Sequence, residues 1–230
     1  MKKSGVNIIK YGGVDMLLLA QRQKVIEIAL KAQRDRLIPL TMGNFSLRDK
    51  ETGYICITPS GMDYSMLQAE DIVVVDIHGT IIDGNRKPSI ETQLHCRTYA
   101  KRADVFGICH THSTYATAWA CCGKEIPVIV AELAGMIGGP VKCAPYAPMG
   151  TTLLADIVAE HLHSQNAILM ENHGMLAVGE NINKAFANAV IVEEGAKITL
   201  YAMQIGGMKT INEQECKELK RNTLENYGQK

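Results

Sequence analysis

Strand-like segments in this chain follow one another directly at first and are then separated by helices, and this change of spacing limits the fold most. GNFSLR (residues 43–48), GYICIT (53–58) and DIVVVDI (71–77) are short apolar runs bounded by Gly, Pro or Asp, the pattern of strands. His78-Gly79 and Asp83-Gly84 mark turns, the second pair giving the stronger hairpin signal. After a helical pattern over 91–102 come the apolar run VFGIC (105–109), a helix at 114–122 and strand-like IPVIV (126–130). A helix at about 151–163 precedes AILMEN (167–172) and GMLAVG (174–179), joined through His173-Gly174. Asp15 is placed to cap a helix over about 16–36, and two more helices are expected over 181–205 and 212–226. Hairpin joins followed by helical crossovers predict a mixed, mostly antiparallel sheet covered by helices, an α/β fold and not a doubly wound one. No GxGxxG or P-loop favours a nucleotide fold.

The sequence then narrows to its histidines. His110 and His112 flank Thr111 where VFGIC runs out, and in a strand positions i and i+2 emerge on the same side. His173 also sits at the end of an apolar strand, followed by a glycine that allows a sharp turn. Three neutral imidazoles with one position left open form a common catalytic zinc arrangement. Spacing alone leaves two readings, a metal site or strand-end histidines bonded to loops. His161 and His163 share the i, i+2 spacing, but in a helical pattern that turns them apart, and His78 falls in a turn.

Composition excludes other classes. The 230 residues are enough for one substantial core, and one domain spanning 1–230 is expected. Formal net charge is zero, which argues against nucleic acid or an anionic membrane as the main partner, so an anion must be recognised by a local pocket. The apolar stretch MLLLA (16–20) is too short to span a membrane, and Lys2 and Lys3 alone do not make a signal peptide. Seven cysteines, an odd number with no CxxC, predict reduced thiols and a cytoplasmic location.

KPSIETQLH (87–95) supplies a carboxylate. Ser89 reads as a helix cap, with Glu91 in the first turn and His95 one turn further on. Glu91 has three readings: interaction with the helix dipole, an exposed pair with His95, or a general base beside a metal with His95 orienting it. MGNFS (42–46), TPSG (58–61) and Pro88-Ser89 combine small residues with hydroxyl, amide and backbone N–H donors suited to a phosphate.

In order, GNxS, TPSG, PSxE, HxH and HG resemble the zinc-dependent class II aldolase and epimerase family over nearly the whole chain. The resemblance implies a three-layer α/β/α sandwich, a homotetramer with sites at subunit interfaces, and one Zn2+ per subunit. It implies that His110, His112 and His173 hold the zinc with Glu91 as fourth ligand and catalytic acid/base. Gly43, Asn44, Ser60, Gly61 and Ser89 would grip the phosphate of a small phosphorylated sugar. The PSxE glutamate and Gly135, where the epimerases carry an aspartate, favour the aldolase branch, as does the tail LENYG, which makes Tyr227 a candidate proton donor. The implied reaction is cleavage of a ketose 1-phosphate such as L-fuculose 1-phosphate to dihydroxyacetone phosphate and L-lactaldehyde. Against this branch, Ile90 stands where the aldolases carry a second serine, a middle-segment tyrosine has no match, with Glu132 nearby, and HTHSTYATAWA resembles the epimerases. An L-ribulose-5-phosphate 4-epimerase activity is the alternative, and a non-catalytic domain like the adducin head or a zinc hydrolase are the more distant ones.

Overall fold

Neighbouring residues of the central strands belong to two different apolar layers, and this alternation sets the architecture. The computed structural model describes residues 8–11 and 14–226. A small antiparallel pair, β1 (Ile8–Tyr11) and β2 (Val14–Leu17), precedes the helix α1 (Leu19–Arg34). Strands β3 (Gly43–Arg48), β4 (Ile55–Ile57), β5 (Val73–Val75) and β6 (Ile81–Asp83) then lead to the helix α2 (Thr92–Lys101) and strand β7 (Gly107–Thr111). Helices α3 (Thr114–Cys121) and α4 (Ala131–Ile137) are followed by the two-residue strand β8 (Cys143–Ala144) and the helix α5 (Thr152–His161). Strands β9 (Ala167–Met170) and β10 (Gly174–Gly179) and helices α6 (Ile182–Ile205) and α7 (Glu213–Asn226) complete the chain.

The eight strands of the main sheet run β6-β5-β4-β3-β7-β10-β9-β8, and every pairing is antiparallel except β8 with β9. Cys109, Phe45, Met175 and Ala177 face a core built with α1, α3, α4, α6 and α7. Ile108, Leu176, Val178 and Ile168 face the opposite core, closed by Leu94 and Tyr99 of α2 and Leu154 and Val158 of α5. Side chains that alternate between two buried faces require helices on both. The three-layer α/β/α sandwich with a mixed, mostly antiparallel sheet is therefore as expected.

Local departures have physical causes. Asp15 lies within β2, paired with β1, and the chain enters α1 through Leu18 in a left-handed conformation, so Asp15 is not the cap. The hairpin between β5 and β6 turns at Asp76–Thr80, where the Asp76 carboxylate accepts from the amides of His78 and Thr80, both at 2.9 Å. Asp83-Gly84 instead ends β6. IPVIV forms no strand: only Ile126 bridges Val141, and the segment leads into α4, which the sequence reading missed together with β8. Among the described residues, no helix is long and apolar enough to cross a membrane.

Candidate metal centre

The register of three adjacent strands brings the candidate residues to one end of the sheet. His110 in β7 pairs with Leu176 of β10 on one side and Asn44 of β3 on the other, while Thr111 pairs with Gly43 and Met175. His112 follows the strand, and His173 lies in the turn between β9 and β10, just before Gly174. The three imidazole rings stand 4.7 to 5.0 Å apart between centroids, and one ligand atom from each lies within 4.8 Å of the others. The i, i+2 spacing therefore does what a strand period predicts.

Crowding holds the rings together. A Cβ on Gly174 would stand 2.5 Å from the Thr111 carbonyl oxygen and 3.1 Å from a carbon of the His112 ring. Gly174 is thus required for close approach and not for a turn; Asn172, with φ of 55°, adopts the left-handed conformation there. Gly43 is crowded in the same way, since its Cβ would meet the His110 carbonyl at 2.9 Å.

Ring chemistry fits a cation. His110 Nδ1 donates to the Met175 carbonyl at 2.8 Å, which turns Nε2 toward the centre, a common second contact for a ligating imidazole. His112 Nε2 lies 2.9 Å from His110 Nε2, and His173 Nε2 lies 3.4 Å from Glu91 Oε1. Burial, then the nearby positive charge of His110, takes His112 down to about 3 and His173 down to about 4, so both are neutral at neutral pH. Glu91 is only 5% exposed and its Oε2 lies 3.1 Å from His110 Nε2. Burial would raise its pKa, but His110, then His173 and the Asn44 amide, hold it well below the usual carboxylate range. Burial likewise opposes the charge on His110, and Glu91 outweighs it and raises that pKa. His110 Nε2 and the Glu91 carboxylate thus favour each other's charged forms, and a divalent cation would take the place of a proton between them. Glu91 Oε1 and His173 Nδ1 are buried without a hydrogen-bond partner. Three imidazole nitrogens and a carboxylate oxygen are a donor set that zinc accepts.

Glu91 directly precedes α2, and its carboxylate turns inward to the imidazoles, away from the solvent where a dipole or surface role would leave it. It makes no side-chain pair with His95. Instead Asn44 Nδ2 donates to Glu91 Oε2 at 2.8 Å, while Asn44 Oδ1 lies 2.6 Å from His95 Nε2. No local signal in GNFS announced that pairing.

The turns expected around a phosphate are neighbours. Pro59 bridges Pro88 in antiparallel fashion, with Ser60 N–H donating to Lys87 and Ser89 N–H to Thr58. Those two amides are therefore consumed between the segments, which leaves the hydroxyls of Ser60 and Ser89 and the exposed Gly61. Ser89 Oγ accepts from the Glu91 amide at 3.2 Å and keeps its own proton free to donate. Ile90, half exposed, sits between Ser89 and Glu91. Gly135 lies in α4, where a Cβ would collide with Thr223 of α7, so helix packing explains the glycine at this position. Tyr227 lies outside the described residues. A cleft of about 480 Å³ opens at the opposite end of the sheet among Arg102, Lys184 and Lys220. Its Arg102 is committed to Asp104 and to the carbonyls of His163 and Gln165, and Lys220 to that of Ile137.

Three histidines gathered at the end of the central strands of a three-layer sandwich could hold a metal ion, and the chain belongs to the class II aldolase family. A model of that family, described as Class II Aldolase and Adducin N-terminal domain, matches residues 23–200. The chain is an enzyme of the aldolase class, a carbon–carbon lyase. The 5-deoxy-D-ribulose 1-phosphate aldolase of Bacillus thuringiensis serovar kurstaki is 38% identical over 214 residues, covering 93% of this chain and 100% of that protein. A solved L-fuculose 1-phosphate aldolase superposes with a TM-score of 0.87 at 35% identity, over 89% of this chain and 96% of the other. The L-fuculose-1-phosphate aldolase of Thermus thermophilus gives 0.71 at 28% identity, over 83% and 99%.

Proposed function

We infer that the protein reversibly cleaves a short deoxyketose 1-phosphate to dihydroxyacetone phosphate and a methyl-terminated aldehyde. The observation that carries this reading is the Glu91 carboxylate, buried and held by Asn44 at 2.8 Å, facing two of three clustered imidazoles. His110, His112 and His173 would hold one zinc ion per subunit, with Glu91 as a further ligand when no substrate is bound. Bound there, the ion would supply Lewis acidity that stabilises the negative charge developing on the sugar. In condensation, Glu91 removes a proton from C3 of dihydroxyacetone phosphate, and the electron pair left behind adds to the aldehyde carbon. In cleavage, the C3–C4 bond breaks, its electron pair stays on C3, and Glu91 returns the proton there. The proton lost from the C4 hydroxyl, which becomes the aldehyde oxygen, leaves through Tyr227. Ser60, Gly61 and Ser89, together with Gly43 and Asn44, bind the phosphate and so fix C3 against the carboxylate.

The names of the relatives support two sugars. 5-Deoxy-D-ribulose 1-phosphate releases acetaldehyde, and L-fuculose 1-phosphate, the expectation from the sequence motifs, releases L-lactaldehyde. Both share the dihydroxyacetone phosphate half on which Glu91 acts. The enzyme works as a cytoplasmic homotetramer with sites between subunits, and Tyr227 serves a neighbour's centre. Epimerisation of L-ribulose 5-phosphate is the second reading, supported by HTHSTYATAWA alone.

Zinc-loaded protein given each of the three sugar phosphates separately tests the reading. Release of dihydroxyacetone phosphate, followed through NADH consumption by a coupled dehydrogenase, is expected from one or both ketose 1-phosphates. Xylulose 5-phosphate formed from L-ribulose 5-phosphate, with no triose phosphate from the others, would instead establish the epimerase.

A further inference from the structure

Behind the carboxylate lies a run of buried polar groups with no place in the chemistry so far. Ser46 of β3 and His95 of α2 are wholly inaccessible to solvent, and Tyr99, one helical turn beyond His95, is 1% exposed. Ser46 Oγ lies 2.6 Å from His95 Nδ1 and 2.9 Å from the Tyr99 hydroxyl, which also donates to the Ser46 carbonyl at 3.0 Å. His95 Nε2 then meets Asn44 Oδ1 at 2.6 Å, and Asn44 Nδ2 meets Glu91 Oε2 at 2.8 Å.

Donor and acceptor rules give this chain one direction. A carboxylate only accepts, so the Asn44 amide nitrogen must face Glu91 and its carbonyl must face His95. A carbonyl only accepts, so His95 carries its proton on Nε2. Burial takes the His95 pKa down to about 3, so the ring is neutral and its Nδ1 is an acceptor. Ser46 therefore donates its one proton to His95, and the one Tyr99 proton is shared between the Ser46 hydroxyl and carbonyl oxygens. No member can be reversed without placing two donors or two acceptors face to face in a dry interior, which costs about 1–3 kcal/mol per unmatched group.

We propose that His95, backed by Ser46 and Tyr99, is a positioning residue for the aldol reaction: through the Asn44 amide it pins Glu91 by Oε2 and leaves Oε1 as the oxygen that carries the proton. Oε1 is the buried carboxylate oxygen without a hydrogen-bond partner, and it faces His173. The His95 ring bonds to Ser46 and Asn44 and to none of the three clustered imidazoles. Its contribution is orientation, and it rests on the aldolase reading given above.

The test uses the full-length protein carrying His95→Gln, His95→Met or Tyr99→Phe. Gln can place an amide N–H where Nε2 stands, Met fills the space without a donor, and Phe removes only the hydroxyl. Four quantities are read: kcat and KM for cleavage, exchange of the C3 proton of dihydroxyacetone phosphate in D2O by NMR, zinc affinity against a chromophoric chelator, and thermal midpoint. For His95→Met, kcat and exchange per bound zinc fall about 10- to 100-fold with KM nearly unchanged, and zinc affinity weakens by about 10-fold or more. His95→Gln recovers most of both. A purely structural role would lower the midpoint and leave kcat per bound zinc intact, so a Met variant within twofold of wild type, or a Gln variant no better than Met, overturns the proposal.

If the Met variant does not fold, Tyr99→Phe is decisive: exchange lowered about two- to fivefold supports the chain, and unchanged exchange overturns it. A wild-type protein inert toward every sugar phosphate would refute the aldolase reading by itself. The weaker zinc binding of His95→Met would still establish that His95 positions Glu91, and its absence would overturn that too.

Discussion

Asn44 donates to Glu91 through one carboxylate oxygen at 2.8 Å and leaves the other without a hydrogen-bond partner, so the two oxygens of this buried side chain are not equivalent. Glu91→Gln keeps the shape and replaces the charge. The variant should retain most of its zinc, because three imidazoles remain, and lose about 10²- to 10⁴-fold in kcat, the range for removing a general acid/base. Metal content by atomic absorption and turnover measured on one sample decide it. Unchanged turnover removes Glu91 from the mechanism.

Gly174→Ala puts a methyl group 2.5 Å from the Thr111 carbonyl oxygen, against the strand that carries His110. Overpacking of that kind costs about 1–3 kcal/mol. Here the strain falls on the imidazole cluster, so zinc affinity should drop by about 10-fold or more while the helical content seen by circular dichroism stays within error. A variant that binds zinc as tightly as wild type would show that the contact is soft.

His95 gives stability a pH dependence of known sign. Its folded pKa is about 3, and an unfolded imidazole titrates near 6.5. Between those values the unfolded chain binds a proton that the folded chain refuses, so stability is full above about pH 6.5 and is lost as pH falls toward 3. Urea midpoints of metal-free protein at pH 7, 6, 5 and 4 should decline, and His95→Gln should remove about 1 kcal/mol per pH unit from that slope below pH 6. Parallel slopes for the two proteins would mean that His95 is protonated inside the fold.

Gly135→Ala tests the contact between α4 and α7. Its Cβ would collide with the Thr223 hydroxyl, so either Thr223 or the helix that carries it must give way. Limited proteolysis should then cut near residues 206–212 several times faster than in wild type, with the metal content unaltered. Equal cutting rates would show that α7 gives way without loosening.

The sequence carried the site further than it carried the elements around it. His110 and His112 are legible because a strand has a period of two, whereas the serine-led start read from PSIET is two residues early: Glu91, not Ser89, holds the N-cap position and α2 begins at Thr92. The Asn44–His95 bond joins residues 51 apart in sequence through strand register, and nothing in GNFS or TQLH encodes that distance. IPVIV looked like a strand because its residues are β-branched and apolar, yet Val128 is buried against the helical layer without a strand partner, so burial and not pairing explains its composition. The two strand residues Cys143 and Ala144 are too few to show any period, and AELAGMI carries a glycine for packing where propensity argues against a helix. Asp15 looked like a cap because pairing with a preceding strand is invisible from a single short window.

The floor of the centre has no spare volume: Gly43 and Gly174 meet backbone and ring atoms where even one more carbon would not fit. A descendant of this chain that came to process a different sugar would therefore have to change at the rim, at positions such as half-exposed Ile90, while the bottom of the bowl stayed as it is. New preferences would be written in the lip, and the chemistry beneath would pass from one substrate to the next unaltered.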